Sequence, residues 1–463
     1  MTSVEQAEQT RQTPLFSQKT LIRLIIPLVI EQFLLMTVGM ADTVMVTTAG
    51  EAAVSGVSLV DNINLLLLQI FAALSTGGAV IVSQYLGRDD RKAACTAARQ
   101  LLYVVVLVSS AVMAVALLAR EHILSLIFGN IAPDVMDSAL IYFLLTAAAY
   151  PFMAVYNAGA SLFRSMGNSK VSMFNSLLVN LINITVNAIL IFGFQMGAAG
   201  AGIGTLVSRI AAAVIMIAML HHPENPVHIR GLLHIQFRGD MIRRILTIGI
   251  PNGLENGLFQ VGKLLVLSLI TSLGATAAAS TAITAANAIA NSIAGVINVP
   301  GQAIGLGLIT VVGQCMGAKD PDQAVSYTKK LMFAAYTSLA VMCLILLLSA
   351  GWLVTLFHLS PAAATLAAQV LRWCAVFTMV FWPMSFTLPN ALRAAGDAVF
   401  TMSISMLSMF LCRIVLSYVL ACAWGADLGL LGVWLAMFAD WIVRATVFFI
   451  RFWRGRWKRF HVI

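Results

Sequence analysis

Apolar residues occur in runs of about twenty along almost the whole chain, and short polar stretches separate each run from the next. A helix needs about 20 consecutive apolar residues to cross the hydrocarbon core of a bilayer, so each run is long enough to span a membrane. The pattern predicts an all-α membrane protein with twelve transmembrane helices. The predicted spans are 22–48, 53–86, 99–119, 138–163, 172–194, 200–221, 244–272, 277–316, 330–353, 366–391, 399–423 and 429–451. Spans 2 and 8 exceed one crossing, so we expect them to project from the membrane or to bend at Gly77-Gly78 and at 301–307.

The composition favours the same class. Hydrophobic residues make up 60% of the 463 residues and charged residues only 10%, and the mean hydropathy is +0.91, far outside the range of soluble domains. The first twenty residues are polar and the first apolar run is long, so no cleaved secretory signal is predicted. The six cysteines are scattered, without the spacing of a disulfide framework or of a zinc site.

The basic residues predict the orientation of the spans, because cytoplasmic loops of membrane proteins are enriched in lysine and arginine. With a cytoplasmic N-terminus, 22 of the 28 basic residues fall in cytoplasmic segments, and only Arg120 and Arg372 fall in outer loops. Both termini are therefore predicted to be cytoplasmic. This distribution accounts for the net charge of +9, so no nucleic-acid partner is required. The basic tail at 451–459 is expected to lie against anionic membrane lipid.

The two halves of the chain repeat one another. The segment Ile26-Pro27-Leu28-Val29-Ile30-Glu31-Gln32 returns 224 positions later as Ile250-Pro251-Asn252-Gly253-Leu254-Glu255-Asn256, so that a glutamate follows a proline by four residues in both copies. Three further pairs of segments keep nearly the same offset, namely 83–87 with 313–317, 126–133 with 355–361, and 162–167 with 391–396. Each half holds six spans, so both copies enter the membrane from the same side. Such a parallel repeat is typical of secondary transporters.

The repeat predicts two six-helix lobes. The expected divisions are a cytoplasmic N-terminal segment at 1–20, an N-lobe at 21–221, a cytoplasmic linker at 222–243, a C-lobe at 244–451 and a basic cytoplasmic tail at 452–463. Secondary transporters bind their substrate between such halves. We therefore expect a small-molecule substrate, and a monomer suffices because one chain supplies both walls of the cleft. The expected location is a bacterial cytoplasmic (inner) membrane.

Acids inside the spans are the first candidates for function, since a charge in the middle of a transmembrane helix costs ~2.5–3.5 kcal/mol even on lenient scales. Glu31 and Asp42 are 11 residues apart, which places them within about 20° of the same helical face and roughly 16 Å apart along the axis. They are predicted to line an ion or proton path, and Glu255 inherits the prediction as the repeat partner of Glu31. The two glutamates have an alternative interpretation, in which they contact water at the membrane edge or stabilise the bend at the preceding proline. Asp42 has another, in which it is buried for packing and hydrogen-bonds to a neighbour.

Three asparagines of the fifth span share one helical face. Asn180, Asn183 and Asn187 are spaced i, i+3 and i+7. Their amide oxygens can complete a shell around sodium beside Asp42 or orient a protonated carboxyl group. The alternative is hydrogen bonding between helices, worth ~0.6 kcal/mol each.

In the C-lobe, a lysine stands inside the seventh span. Lys263 follows Glu255 by eight residues, which is about 12 Å along the helix and roughly 80° around it. Three interpretations of Lys263 stay open. It neutralises Glu255, it pairs with another group, or its side chain extends towards the membrane–water interface.

Further polar residues in the spans are weaker candidates. Asp61 is expected either to face the central cleft and meet a cationic substrate or to lie near the outer interface. Gln69 and Gln260 are candidate amides of the cleft wall. Asp440 and Arg444 have the i, i+4 spacing of an ion pair within one helix, which indicates a structural contact.

Taken together, these residues resemble the multidrug and toxic compound extrusion (MATE) family of transporters, of the bacterial type. The resemblance extends from about residue 20 to 450. It rests on the six-plus-six layout, Ala41-Asp42-Thr43 in span 1, the Gln-x-x-Gly ends of spans 2 and 8, the run 392–397 and the run 190–193. Asp42 matches the acid of the family's N-lobe. Two family acids are missing, since Asn187 stands where span 5 often has an acid and the segment 259–263 has none, and this asymmetry favours coupling in the N-lobe.

The resemblance implies two lobes forming a V that opens alternately to either side of the membrane. It also implies export of amphipathic or cationic small molecules, such as drugs, toxins or metabolites, in exchange for inward sodium or protons. The coupling ion that the resemblance implies is thus a monovalent cation, Na⁺ or H⁺, with Asp42 as the candidate sodium ligand and no other cofactor expected. No Walker A motif and no catalytic arrangement of side chains is present, so an enzyme is not expected. Two alternatives remain open. A flippase for lipid-linked substrates needs cations in the cleft, for which Lys263 is a candidate, and a non-transporting receptor or scaffold is expected to carry a sizeable soluble domain.

Overall fold

The computed structural model describes residues 14–129, 132–232, 235–274, 276–357, 359–422, 428–460 and 462–463, and for residues 38 and 40–43 it describes the backbone without the side chains. The first half contains α1 (Gln18–Thr47), α2 (Glu51–Gly87), α3 (Arg91–Leu118), α4 (Arg120–Phe128), α5 (Pro133–Ala148), α6 (Tyr150–Ser165), α7 (Ser169–Ala188) and α8 (Gly197–Leu220). The second half contains α9 (Gly239–Ser272), α10 (Ala277–Gly317), α11 (Pro321–Thr355), α12 (Pro361–Trp382), α13 (Leu388–Ala394), α14 (Ala398–Ser408), α15 (Leu416–Ala421) and α16 (Gly429–Trp453). Short π-helical segments continue three of these helices, at Ile189–Gly193, Pro383–Thr387 and Met409–Val415.

The prediction of an all-α membrane protein is confirmed. Within the described residues, eleven helices are long and apolar enough to cross a membrane, when a helix and its π-helical continuation count as one, and the bent pair α5–α6 supplies a twelfth. The helices occur in the predicted order, six in each half.

The fourth span differs from the straight helix expected at 138–163. It is broken at Ala149 into α5 and α6, which meet at an angle of 46°. Pro151 lies in the first turn of α6. A proline lacks the amide hydrogen and clashes with the carbonyl four residues earlier, so a helix that reaches one breaks or kinks.

Spans 3 and 9 begin eight and nine residues earlier than predicted, at Arg91 and Pro321. Asp90 and Asp320 cap α3 and α11, and their carboxylates accept hydrogen bonds from the amides of Ala93 at 3.0 Å and Gln323 at 2.9 Å. A side-chain oxygen at the N-cap satisfies an amide that the helix leaves unpaired, so the polar first turns become helical although they are not apolar. The short helix α4 was not predicted, because its nine residues are too few to give a spanning pattern.

The two long helices α2 and α10 run without interruption through the glycines where bends were expected. These glycines allow close packing. A Cβ at Gly77 would lie 2.5 Å from the carbonyl oxygen of Ile245, and one at Gly301 would lie 2.3 Å from the ring of Trp382. A side chain there would displace the neighbouring helix.

We call α1–α8 the N-lobe and α9–α16 the C-lobe, following the sequence repeat. Three clusters of buried apolar side chains form the core. One cluster comes mostly from the N-lobe and one from the C-lobe, and in the third α1 packs against helices of the C-lobe. The first and last described segments of the chain lie at one end of the molecule. The amide of Phe16 donates to the Tyr327 hydroxyl at 2.9 Å, and the Lys458 ammonium lies 3.1 Å from Asp322, so both segments contact the beginning of α11. We call this end the terminal side and the other end the opposite side.

Candidate functional site

Glu31 forms a buried ion pair within the N-lobe. Its carboxylate, on α1, is 2% exposed and lies 3.0 Å from the guanidinium of Arg164 at the end of α6. The second carboxylate oxygen accepts a hydrogen bond from the Ser172 hydroxyl of α7 at 2.7 Å. Three helices of the N-lobe therefore meet at one carboxylate whose charge is matched.

The C-lobe repeats this ion pair. Glu255 of α9 lies 2.7 Å from the guanidinium of Arg393, which also donates to Asn390 at 3.0 Å. The second oxygen of Glu255 is buried and has no hydrogen-bond partner among the described residues. Thr401 occupies the place of Ser172 but donates to the carbonyl of Ala398 instead.

The partner of Glu255 is thus Arg393, not Lys263. The sequence comparison had aligned the two segments that contain Arg164 and Arg393 without assigning either arginine a role. The available signal was that both arginines occupy equivalent positions of the repeat, 133 residues after Glu31 and 138 residues after Glu255.

The two lobes hold one another at the terminal side by a pair of equivalent contacts. Gln84 of α2 donates to the carbonyl of Ala394 in the C-lobe at 2.8 Å, and Gln314 of α10 donates to the carbonyl of Ser165 in the N-lobe at 2.8 Å. Each acceptor directly follows the arginine of an ion pair. The contact therefore connects the lobe interface to both buried pairs.

Two glycines bring the helices close enough for these bonds. A Cβ at Gly87 would lie 1.9 Å from the carbonyl oxygen of Gln314, and a Cβ at Gly317 would lie 1.9 Å from that of Gln84. We call Gln84, Gly87, Gln314 and Gly317 the latch. The sequence comparison identified this repeated motif, but not that its two copies contact one another.

The asparagine stripe on α7 faces neighbouring helices and is buried. The Asn180 amide donates to the carbonyl of Leu34 on α1 at 3.0 Å, and Asn187 donates to the Asn183 amide oxygen at 3.3 Å. The amide oxygen of Asn187 lies against Gly204 of α8, where a Cβ would come within 1.8 Å of it. The stripe thus sits between α1 and α8, and the π-helical segment Ile189–Gly193 follows it directly.

The Asp42 side chain lies outside the described residues, so its contacts are not part of the structure. The backbone of α1 is helical through residue 42. A helix rises about 1.5 Å per residue, which puts residue 42 roughly 16 Å from residue 31 towards the opposite side.

Asp61 lies inside the N-lobe. Its carboxylate accepts hydrogen bonds from the Tyr142 hydroxyl at 3.0 Å and from the Asn64 amide at 3.4 Å. The Tyr150 hydroxyl extends this network by donating to Asn64 at 2.9 Å. Polar partners of the same lobe surround Asp61, as expected for an acid that is retained within a bundle.

The two glutamines named as cleft amides lie on helices that pack against one another. Gln69 is on α2 and Gln260 is on α9, and both side chains are half-buried.

Three cations of the C-lobe converge on the ring of Phe259. The charged groups of Lys263, Arg413 and Arg444 lie 5.1, 4.8 and 5.5 Å from its centre. The nearby carboxylate is that of Asp440, which binds Arg444 at 2.9 Å as the i, i+4 pair that the spacing indicates. Its other hydrogen-bonding neighbour is the Ser408 hydroxyl. Arg413 lies in the π-helical segment Met409–Val415 of this lobe. Such segments often occur at functional sites.

Groups that commonly hold metals are not clustered. Across the described residues, no set of three or more histidine, cysteine, aspartate or glutamate side chains is placed to bind an ion, and the six cysteines are free thiols.

Comparison with known proteins agrees with this architecture. The MatE family model matches residues 27–189 and 251–419, most of both lobes. The chain is 27% identical over 438 residues to the uncharacterized transporter YisQ of Bacillus subtilis, covering 93% of this chain and 92% of that protein. It is 26% identical over 449 residues to the probable multidrug resistance protein NorM of Thermotoga maritima, covering 96% and 93%. A crystal structure of MATE in the bent conformation matches with a TM-score of 0.87 and covers 98% of both chains, and its 19% identity makes this a likeness of fold. The chain belongs to the MatE (multidrug and toxic compound extrusion) family, whose members are transporters and not enzymes.

Proposed function

We propose that this protein is an antiporter that exports amphipathic or cationic small molecules from a bacterial cell in exchange for inward Na⁺ or H⁺. The latch is the observation that carries the proposal. Two equivalent polar contacts close the terminal side, and the basic residues of the sequence assign that side to the cytoplasm. The state described here is then outward-facing, and the inward-facing state requires both contacts to break.

The hydrogen bonds of the latch are individually weak, which suits contacts that must break in each transport cycle. Each glutamine makes one hydrogen bond to a carbonyl of the other lobe, and a typical hydrogen bond contributes only about 0.5–1.5 kcal/mol net. Ligands that bind one lobe orientation more tightly can shift the equilibrium between the two orientations. An ion and a substrate that favour opposite orientations then exchange across the membrane.

The coupling ion is proposed to bind at Asp42 with the amides of α7. Glu31 and Glu255 suit this role less well, because an arginine within 3.0 Å already matches each charge, and a bound sodium ion would compete with the guanidinium. Asn183 and Asn187 supply amide oxygens of the kind that sodium accepts as ligands. In this proposal, Glu31 and Glu255 stabilise the terminal side of each lobe, next to the latch.

The test is gradient-driven ethidium efflux from proteoliposomes that contain the full-length protein. Export by the wild type is expected under an inward gradient of either Na⁺ or H⁺, and Asp42→Asn is expected to lower the gradient-dependent rate at least tenfold, because it removes the carboxylate that the ion needs. Asp89→Asn is the matched control. Asp89 is 91% exposed at the terminal side and has a positive φ of 61°, a conformation that asparagine adopts readily.

Two results would contradict the proposal. Gradient-driven efflux that survives Asp42→Asn would move coupling to another carboxylate, with Glu31 the first to examine. A wild-type protein that moves no ethidium under either gradient would rule out broad cation export. A narrow-substrate exporter or a lipid flippase would then fit better.

A further inference from the structure

The three cations around Phe259 have no role in the proposed coupling site. They come from three separate parts of the C-lobe, with Lys263 on α9, Arg413 in the π-helical segment that follows α14, and Arg444 on α16. Arg413 and Arg444 are 7% and 2% exposed. Packing has therefore gathered three positive charges around one ring, within a membrane-spanning bundle.

The described residues do not balance this charge. Asp440 pairs with Arg444, but neither Lys263 nor Arg413 forms an ion pair within the described part of the chain. The Arg413 guanidinium donates to the Met437 sulfur at 3.0 Å, which is a weak acceptor. A buried charge without a partner is costly, and the face of a phenyl ring compensates only part of that cost.

Arg164 and Arg393 are the structural arginines with which Arg413 can be compared. Each of the two has a glutamate within 3.0 Å. Arg413 differs from both because no carboxylate of the described structure lies within ion-pair distance of it, although it is as well buried as Arg393.

A buried hydrogen-bond donor without a described partner lies beside Phe386, a ring that Arg444 also contacts. The indole nitrogen of Trp441 is buried and has no partner among the residues described. The Trp441 ring packs edge-on against Phe386 at 6.1 Å, and the Arg444 guanidinium lies 5.4 Å from the centre of that Phe386 ring. Two unmatched cations and an unmatched donor in one region call for an acceptor with negative charge.

Lys263 makes the cations around Phe259 accessible to a ligand. Its side chain is exposed, whereas the two arginines are buried. Helix α9 packs closely on α2 at Gly249, where a Cβ would lie 3.1 Å from Leu74, and less closely at Gly257, where a Cβ would lie 4.0 Å from Ile70. Lys263 comes six residues later, on the part of α9 that leads towards the opposite side. A ligand in the cleft would meet the lysine first and the arginines behind it.

We infer that Lys263 and Arg413, with the Trp441 indole as a further donor, bind the anionic group of a transported amphipathic compound, such as a carboxylate, sulfonate or phosphate. The Phe259 ring contacts the apolar part of that compound. This inference rests on the proposed transport function and extends its substrates to organic anions and zwitterions. A cation at the acidic N-lobe and an anionic group at the basic C-lobe then occupy different lobes.

The test compares two dyes that share the xanthene ring but differ in charge, carboxyfluorescein as the anion and rhodamine 123 as the cation. Their binding to the full-length protein in phosphatidylcholine nanodiscs is measured by fluorescence anisotropy. The wild type is expected to bind both dyes. Lys263→Gln is expected to weaken carboxyfluorescein binding about tenfold and to leave rhodamine 123 binding unchanged. Arg413→Gln is expected to act in the same direction, and Lys263→Arg to retain binding.

Lys330→Gln is the matched control. Lys330 also lies over an aromatic ring, at 5.5 Å from Tyr327, but it is exposed on α11 at the terminal side. Equal losses in Lys263→Gln and Lys330→Gln would overturn the inference, because general surface charge would then explain both. An Arg413→Gln protein that fails to fold does not decide the matter, since the exposed Lys263 carries the test alone.

Rhodamine 123 efflux from proteoliposomes separates this inference from the proposed function. Gradient-driven rhodamine efflux without any carboxyfluorescein binding overturns the anion site and leaves the antiporter proposal intact. If the wild-type protein exports neither dye, the result contradicts the antiporter proposal itself. A Lys263→Gln effect seen only when the bilayer contains phosphatidylglycerol would show a lipid headgroup site and overturn the assignment to a transported compound.

Discussion

At the scale of single residues, the buried glutamates differ in how completely they are satisfied. Glu31 receives both the Arg164 guanidinium and the Ser172 hydroxyl, whereas one oxygen of Glu255 lacks a partner in the described structure. A second serine strengthens the N-lobe arrangement, since the Ser169 hydroxyl donates to the Leu24 carbonyl at 2.6 Å. Helix α1 is therefore fastened to α7 at several points, beyond its ion pair.

Glu31→Gln is expected to lower the free energy of unfolding by about 3–5 kcal/mol, because it leaves the Arg164 guanidinium mostly buried without its counter-charge. Arg164→Gln alone should cost a similar amount. The double variant should cost clearly less than the sum, since neither charge remains unpaired. Denaturation of the purified protein in detergent by increasing SDS measures all three, and additive losses would show that the pair is not energetically coupled.

At the scale of helices, the latch depends on glycines that let two long helices touch backbone to backbone. Alanine at Gly317 places a methyl group on the carbonyl of Gln84, and alanine at Gly87 does the same to Gln314. Rigid backbone cannot yield as a flexible side chain can, so the helices must separate at this point.

Gly317→Ala and Gly87→Ala are therefore expected to open the terminal side and narrow the opposite side, even though alanine favours a helix over glycine by about 1 kcal/mol. Distances between spin labels on the opposite-side ends of α2 and α10 report this change. Gly193→Ala is the control, because a Cβ at Gly193 meets nothing within 4 Å. Unchanged distances in both latch variants would contradict the role given to the motif.

Most of the helices could be predicted, and most of the contacts between them could not. Twenty apolar residues in a row identify a span, and the repeated Pro-x-x-x-Glu segments indicate duplicated lobes. The partner of Glu255 needed the fold, because Arg393 lies 138 residues away and an acid near a lysine in sequence suggests the wrong pair. The broken fourth span was open to prediction from Pro151, since proline within a helical run is a known cause of kinks.

At the scale of the whole molecule, the two lobes differ in the polar groups that their buried ion pairs leave over. The N-lobe has Asp42, Asp61 and the amides of α7, whereas Lys263 and Arg413 of the C-lobe form no ion pair within the described part of the chain. The duplicated frame has thus kept its ion pairs and latch while its polar interiors have diverged. This division explains why the repeat predicts the architecture well and the chemistry of either lobe poorly.

The orientation of the molecule can be tested by cysteine labelling in intact cells. With the six native cysteines replaced by alanine, a cysteine at the exposed Glu121 should react with a membrane-impermeant maleimide, because it lies on the opposite side. A cysteine at the exposed Arg91, on the terminal side, should react only after the cells are permeabilised. The reverse pattern would invert the predicted topology and make the described state inward-facing.

The symmetry of the latch has a consequence for how the protein changes state. Gln84 and Gln314 bridge the same pair of lobes in opposite directions, so a rotation that carries one glutamine out of reach carries the other out as well. If only one half of the latch were released, one glycine would keep its backbone contact, Gly87 with Gln314 or Gly317 with Gln84, while the equivalent contact had separated. Release of the latch should therefore be cooperative, with two well-populated conformations of the protein and few molecules in intermediate ones.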